Sequence, residues 1–332
     1  MKVAVVGGGS WGTALAIHLS RAGCEVRLWA HEPEVVAGIR STRRNPLFLS
    51  DLELPVGIEA SNNLSALAGV AAVVLVVPVQ FARQVLRAAR PHLDHDVPFI
   101  SASKGIEVAS LERMDEIVRG ELGLGEDAFV ALSGPSFARE VAAGLPTAAV
   151  LAGRDAALLR RLQAAFSTPA FRFYSSSDVV GAELAGALKN VVAIAAGMAT
   201  GLGLGQNTLA ALLTRGLHEI ARLGVRLGGR EETFRGLAGM GDLVLTCAAG
   251  SLSRNRAVGE RLGRGERLDE ILASREVAEG VPTTRAAAAL ARRHGVEMPI
   301  TFAVEAILDG KLPPRHAVAA LMTRELKDEA LL

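Results

Sequence analysis

The stretch VAVVGGGSWGTALA (3–16) constrains the fold more than any other. A strand-like apolar run leads into the spacing Gly7-x-Gly9-x-x-Gly12 and then into a helical pattern. Glycines so spaced permit a tight turn, close approach of backbone to a pyrophosphate and close packing of helix on strand. The first N–H groups of the helix then face the phosphates. A tight strand-to-helix turn can need glycines without any ligand, so the context decides. KVAVV (2–6), EVRLW (25–29), VAAVVLVV (70–77), VPFIS (97–101), AFVALS (128–133) and TAAVLA (147–152) are continuous β-rich runs, the kind that parallel strands covered on both faces show. Helical patterns at 10–22, 33–40, 81–89, 110–119, 136–143 and 155–165 are interleaved with them. This alternation predicts a doubly wound α/β sheet. FRFYSSSD (171–178) reads as a last strand and turn, with Asp178 capping the next helix.

Beyond 178 the strand pattern stops. Helices broken by Gly and Pro follow at about 179–200, 207–226, 255–263, 284–293, 300–308 and 314–322. The expected organisation is a dinucleotide-binding domain over 1–178 joined directly to an all-α substrate-binding domain over 179–332. Half the residues are hydrophobic and formal net charge is +1, so the chain can bury a core and shows no basic run suited to nucleic acid. Cys24 and Cys247 have neither metal-ligand spacing nor the look of a disulfide framework, which points to a reducing compartment and no metal. VAVV is too short for a signal-peptide core, and Lys189 and Asn190 interrupt the longest apolar segment. A soluble cytoplasmic protein with no membrane span is expected.

Three further places carry chemistry. WAHEP ends the second strand, where a ribose would lie: Glu32 suits the free hydroxyls of NAD, and His31 tolerates the extra phosphate of NADP. SASKGIE (101–107) puts Lys104 at the carboxyl edge of the sheet, and SGPSFARE (133–140) is a second strand end with Gly, Pro and two serines before a helix, a turn that exposes N–H groups to an anion or is an ordinary loop between strand and helix. In ELAGALKNVVAIAAG (183–197), one of only five lysines, Lys189, has only tiny residues at i−4, i−3, i+4, i+7 and i+8 on a helix: Ala185, Gly186, Ala193, Ala196 and Gly197. A buried ammonium is costly without a partner, and Glu183 and Asp242 are candidates. GLAGMGDLVLTCAAGSLSRNR (236–256) has Gly239 and Gly241 in a turn, then Asp242 and Thr246 on one helical face. Asp242 there reads as a helix cap or as a site residue. Ser253, Arg254 and Asn255 stand at a helix start, where an arginine fork and N–H groups suit a phosphate.

These strings, together with GLGQNTLAALLTRG and VAEGVPT, resemble the bacterial NAD(P)-dependent glycerol-3-phosphate dehydrogenases over nearly the whole chain and in the family's order. The resemblance implies an N-terminal Rossmann domain, a C-terminal helical domain and a homodimer. It implies reversible reduction of dihydroxyacetone phosphate to sn-glycerol 3-phosphate, a phospholipid precursor, with NADH or NADPH. Lys189 is then the acid/base residue, Lys104 contacts substrate and cofactor, and Asn190, Asp242 and Thr246 support the lysine. Gly134 and Ser136 line the substrate site, while Ser253, Arg254 and Asn255 hold the substrate phosphate. Gly7, Gly9, Ser10, Trp11, Gly12, His31, Glu32, Lys104, Ala138 and Arg254 lie along the cofactor, and Val277 and Glu279 close over it. His31 stands where the family often has arginine, which weakens any preference for NADP.

Ketone reduction leaves an alkoxide that needs a proton. A lysine can supply it when charged and, in reverse, accept it when neutral. Burial and Lys104 would lower its affinity for the proton while Asp242 would raise it. A related two-domain hydroxyacid dehydrogenase resembling 6-phosphogluconate dehydrogenase is the near alternative. A dinucleotide sensor, the other alternative, would have no need of Lys189, Asp242 and Arg254.

Overall fold

The structure, a computed structural model, describes residues 1–248, 252–273, 278–326 and 328–329. The chain divides into two compact units: Met1–Ser103 with Arg113–Ala182, and Lys104–Glu112 with Glu183–Leu332. The break thus falls four residues beyond the expected 178/179 boundary, and the segment that begins with Lys104 joins the helical unit.

The first unit holds one sheet of β1 (Lys2–Val6), β2 (Glu25–Trp29), β3 (Ile58–Ser61), β4 (Ala72–Leu75), β5 (Phe99–Ser101), β6 (Phe129–Ser133), β7 (Thr147–Gly153) and β8 (Phe171–Ser176), in the order β3-β2-β1-β4-β5-β6-β7-β8. Neighbours β1 and β4, consecutive in space but not in sequence, make the topological switch at which such sheets bind ligands. The helices of this unit are α1 (Ser10–Arg21), α2 (Pro33–Thr42), α3 (Ala82–Ala89), α4 (Met114–Leu122), α5 (Ala138–Ala143) and α6 (Ala156–Phe166). Every pairing is parallel except β6 with β7. The six-residue α5 accounts for the reversal. At about 1.5 Å per residue it rises about 9 Å, whereas returning along five residues of β6 takes about 17 Å. The chain makes that return as β7 itself.

Two expectations differ here. The edge strand β3 went unread because it has only four residues, IEAS, with a charge in the middle. The fourth helix starts at Met114 rather than near 110. The Glu116 carboxylate accepts the Arg113 backbone N–H at 2.8 Å there, and Leu111 just before it takes φ +63°.

α7 (Val179–Gly201) carries the chain from the first unit into the second. Asp178 caps it as expected, its Oδ1 accepting the Gly181 N–H at 2.9 Å. By length and hydropathy α7 would pass for a membrane span despite Lys189 and Asn190, yet 89% of its apolar window is buried within the protein. It is a core helix. Around it stand α8 (Gln206–Arg226), α9 (Glu231–Arg235), α10 (Asp242–Ala248), α11 (Arg254–Gly263), α12 (Leu268–Leu272), α13 (Gly280–His294), α14 (Pro299–Leu308) and α15 (Pro314–Met322). Val191, Ile194 and Met198 of α7 pack with Val258, Leu262, Val281, Ile300 and Val304. The backbones of α7 and α11 touch: a Cβ on Gly197 would lie 2.0 Å from the Arg256 carbonyl oxygen, and one on Gly259 would lie 1.9 Å from that of Ile194. No larger residue fits at either position, so the distance from Lys189 to the start of α11 is set by backbone contact.

Candidate active site

Each unit carries its own group of candidate residues. In the first, the glycine turn runs from β1 into α1. Gly7 has φ +127°, and a Cβ there would meet the Val76 carbonyl oxygen at 2.7 Å. A Cβ on Gly12 would lie 1.8 Å from the Gly7 carbonyl oxygen. These two glycines are required by packing alone. Gly9 is not: nothing lies within 4 Å of where its Cβ would be. It precedes α1 as an N-cap with no side chain to cap with, so the first N–H groups of the helix have no acceptor within it. The Trp11 Nε1 is buried with no hydrogen-bond partner among the described residues, the kind of orphan a bound ligand satisfies. An open, donor-rich helix start above the switch point fits the pyrophosphate of a dinucleotide.

Sequence reasoning missed Asn45. It is fully buried. Its amide donates to the Gly8 carbonyl at 2.9 Å and to Thr13 Oγ1 at 2.8 Å, while its Oδ1 accepts from the N–H groups of Leu47 and Phe48. It braces the glycine turn from behind. The Asn-Pro dipeptide at 45–46 signalled only a turn. His31 is exposed and its ring lies 6.4 Å from that of Trp29. Glu32 is half-buried as the N-cap of α2 without a capping bond. Gly134 follows β6, Ser136 Oγ donates to its carbonyl at 2.9 Å, and Ala138 opens α5.

The second unit assembles a charged cluster. Lys189 Nζ donates to Asp242 Oδ1 at 2.5 Å and to Thr246 Oγ1 at 2.7 Å. Lys104 Nζ donates to the other carboxylate oxygen, Oδ2, at 2.6 Å. Asp242 is 1% exposed, so it bridges two ammonium groups out of water. Of the two candidate partners for Lys189, Asp242 is the one that meets it, and it does more than cap a helix. Thr246 donates its own proton to the Asp242 carbonyl at 2.6 Å, which leaves its lone pairs to the lysine. An ammonium has three N–H donors. Two are spent on Asp242 and Thr246, and among the described residues nothing takes the third.

Burial pushes the pKa of Lys189 down to about 8, with Asp242 opposing the fall and Lys104 adding to it. Beside it, burial pushes the Cys247 thiol up to about 12, so this cysteine is no nucleophile.

The other expected substrate residues are less directly engaged. Asn190 is buried next to Lys189 in α7. The Ser253 hydroxyl caps α11 by accepting the Arg256 N–H at 3.2 Å. Asn255 Oδ1 accepts the Gly280 N–H at 2.9 Å and so ties α11 to the start of α13, leaving its NH2 side for any ligand. Arg254 is exposed at the first position of α11, where first-turn N–H groups have no acceptor within the helix. Glu279 is half-buried just before α13. Val277 lies outside the described residues.

Models of the two domains of NAD-dependent glycerol-3-phosphate dehydrogenase match this chain, the N-terminal one over residues 2–159 and the C-terminal one over 178–319. The chain belongs to this family. It is 53% identical over 333 residues to glycerol-3-phosphate dehydrogenase [NAD(P)+] of Geobacter sp. (strain M21), covering 99% of each chain. It is 52% identical over 331 residues to the enzyme of the same name from Nitratidesulfovibrio vulgaris (strain DP4), covering 99% of this chain and all of the other. Among solved structures, glycerol-3-phosphate dehydrogenase from Coxiella burnetii superposes with a TM-score of 0.92 at 40% identity, over 97% of this chain and 99% of that one. Membership accounts for the Rossmann-type sheet followed by a helical unit. The near alternative, a hydroxyacid dehydrogenase of similar plan, finds only fold-level support: D-mandelate dehydrogenase superposes with a TM-score of 0.65 at 13% identity.

Proposed function

We propose that this chain performs its family's reaction, reversible reduction of dihydroxyacetone phosphate to sn-glycerol 3-phosphate, with Lys189 as the proton donor and acceptor. The observation that carries the reading is the bridge in which one buried carboxylate, Asp242, holds Lys189 and Lys104 at 2.5 and 2.6 Å. NADH or NADPH supplies the hydride. The remaining task is to stabilise and protonate the oxygen that turns from carbonyl to alkoxide. The third N–H of Lys189 is aimed by the two bonds already made, so it polarises the carbonyl and then delivers its proton. Asp242 with two lysines carries a net charge of +1, which favours the developing oxyanion over the neutral ketone. A pKa near 8 lets the same amine work in both directions close to neutrality.

The glycine turn with Ser10 and Trp11 holds the pyrophosphate in this reading. Glu32 and His31 meet the adenosine ribose, and Ala138 and Glu279 border the cofactor. Glu32 beside His31 favours NAD. Arg254 and the free N–H groups at the start of α11 hold the substrate phosphate, with Ser253 building that helix start and Asn255 anchoring it. Gly134 and Ser136 line the substrate on the sheet side, and Asn190 packs beside the catalytic lysine. The first unit is then the dinucleotide-binding domain and the second the substrate-binding domain.

We further infer a cytoplasmic homodimer that supplies glycerol phosphate for phospholipid synthesis. Both cysteines are free and buried, as suits a reducing compartment. The direct test follows NADH or NADPH oxidation with dihydroxyacetone phosphate. Turnover of that substrate supports the reading. Silence with it, and turnover of an unphosphorylated 2-oxo acid, would overturn it.

A further inference from the structure

Asp242 must keep both carboxylate oxygens on two different lysines, and the backbone before it is built unusually to do so. Residues Leu237–Gly241 form a single π-helical turn that runs directly into α10. The Gly241 N–H reaches back five residues to the Gly236 carbonyl, at 3.1 Å. Single π turns inside helical segments cluster at functional sites. One extra residue in the turn rotates everything after it by about 100° relative to an α-helical path. That rotation decides which way Asp242 faces.

The wide turn is closed against one residue. A Cβ on Gly239 would lie 2.0 Å from the Phe234 carbonyl oxygen and 2.5 Å from its Cα. Phe234 is fully buried, and its ring fills the place where a side chain would stand on Gly224 of α8, with Cζ 2.0 Å from that position. Gly224, the Phe234 ring, the Phe234 backbone and Gly239 therefore form one continuous stack within the second unit, three residues along the chain from Asp242. Neither glycine can gain an atom without moving the stack, and the ring cannot shrink without loosening it.

We propose that Phe234 and Gly239 are positioning residues for the reaction: they hold the π turn closed, so that Asp242 stays bridged between Lys189 and Lys104. The proposal rests on Lys189 being the proton donor. Among the described residues, the groups that bear on the charge of Lys189 are Asp242 and the Cys247 thiol on α10, and Lys104. Arg256 on α11 bears in turn on Cys247. Of these, Asp242 is the one that favours the ammonium most strongly. Its withdrawal makes Lys189 give up its proton at lower pH.

The test is the pH profile of kcat/KM for dihydroxyacetone phosphate reduction in Phe234→Leu, Gly239→Ala, Gly224→Ala and the double variant Phe234→Leu/Gly224→Ala. NADH dissociation constants are measured alongside as a check on the first unit. Phe234→Leu and Gly239→Ala are expected to shift the alkaline midpoint acidward by about one unit, which is about a tenfold loss above the midpoint that vanishes at low pH. NADH binding should stay within about twofold, since the cofactor turn lies in the other unit. In the double variant the smaller side chain makes room for the added methyl, and the midpoint is expected to return towards wild type while each single change shifts it. Gly239→Ala forces a backbone clash, so if it fails to fold, Phe234→Leu and the double variant decide alone. A loss equal at all pH values, with the midpoint in place, would show ordinary structural damage and overturn the proposal. A wild-type profile without a midpoint that Lys189→Met abolishes would instead remove the Lys189 reading, and the proposal with it.

Discussion

Replacing Asp242 by asparagine keeps its shape and removes its charge from between the buried ammonium of Lys189 and the half-buried ammonium of Lys104. At about 4 Å and an effective dielectric of about 20, one carboxylate–ammonium attraction is worth about 4 kcal/mol, or about 3 pK units. Lys189 starts near 8, so in the variant it would titrate near 5. Reduction needs the ammonium, so its rate falls as pH rises through that value. At pH 7 only about 1% of the variant would carry the proton, against about 90% of wild type. The expected loss in kcat/KM for dihydroxyacetone phosphate is therefore about 100-fold at pH 7 and shrinks to about twofold at pH 5, where about half of the variant carries the proton. Oxidation of glycerol 3-phosphate uses the neutral amine, so protonation state alone costs it little. Breaking a buried pair also costs about 3–5 kcal/mol of stability, so a thermal melt and NADH binding must show that the variant is folded. The assay is initial-rate NADH oxidation across pH 5–9. A loss that is uniform across that range would refute the reasoning, because Asp242 would then not be holding the proton on Lys189.

Three other outcomes are expected. Arg254→Ala should cost about 10- to 150-fold in kcat/KM for dihydroxyacetone phosphate, the worth of about 1.5–3 kcal/mol for a charge-assisted bond. It should leave the poor rate on unphosphorylated dihydroxyacetone unchanged; equal losses on both would place Arg254 outside the phosphate site. Glu32→Ala should raise the NADPH/NADH ratio of kcat/KM by removing a negative charge from beside the 2′-phosphate, and a ratio unchanged in both Glu32→Ala and His31→Arg would move the ribose elsewhere. Glu219 is buried, accepts the N–H groups of Ile300 and Thr301 and the hydroxyl of Thr301, and has its pKa pushed up to about 7 by that burial. The folded chain then binds a proton that the unfolded chain releases near 4.5, so Glu219 makes stability fall by about 3 kcal/mol as pH rises through that window. Glu219→Gln should flatten this slope in denaturant titrations at pH 4.5 to 7.5, and an unchanged slope would contradict it.

The residues that bring chemistry together were legible wherever a chemical necessity left a residue of unusual type. Lys189 stood out because an ammonium in a small-residue helix demands a partner, and Asp242 and Thr246 because they are four residues apart. Periodicity could not show that β7 runs antiparallel, since a buried strand looks alike in both directions and only the short α5 decides it. Asn45 was invisible because what it braces, the Gly8 carbonyl, is 37 residues away. The glycines of 236–241 announced a turn but not its gauge, which depends on Phe234 filling the space left by Gly224. Ser253 and Asn255 stand out as candidate phosphate ligands, but their place at a helix start does not show that the Ser253 oxygen also caps α11 and the Asn255 oxygen also ties it to α13. Local sequence signals mark such a place without showing how the work is divided among its residues.

The central claim is that Lys189 moves the proton. It is tested most directly by Lys189→Met, measured for turnover of dihydroxyacetone phosphate with saturating NADH and for NADH affinity. The account predicts a fall in turnover of at least about 10²–10⁴, the usual worth of acid–base help, with NADH affinity nearly unchanged. A folded variant that kept a tenth of wild-type turnover would contradict it.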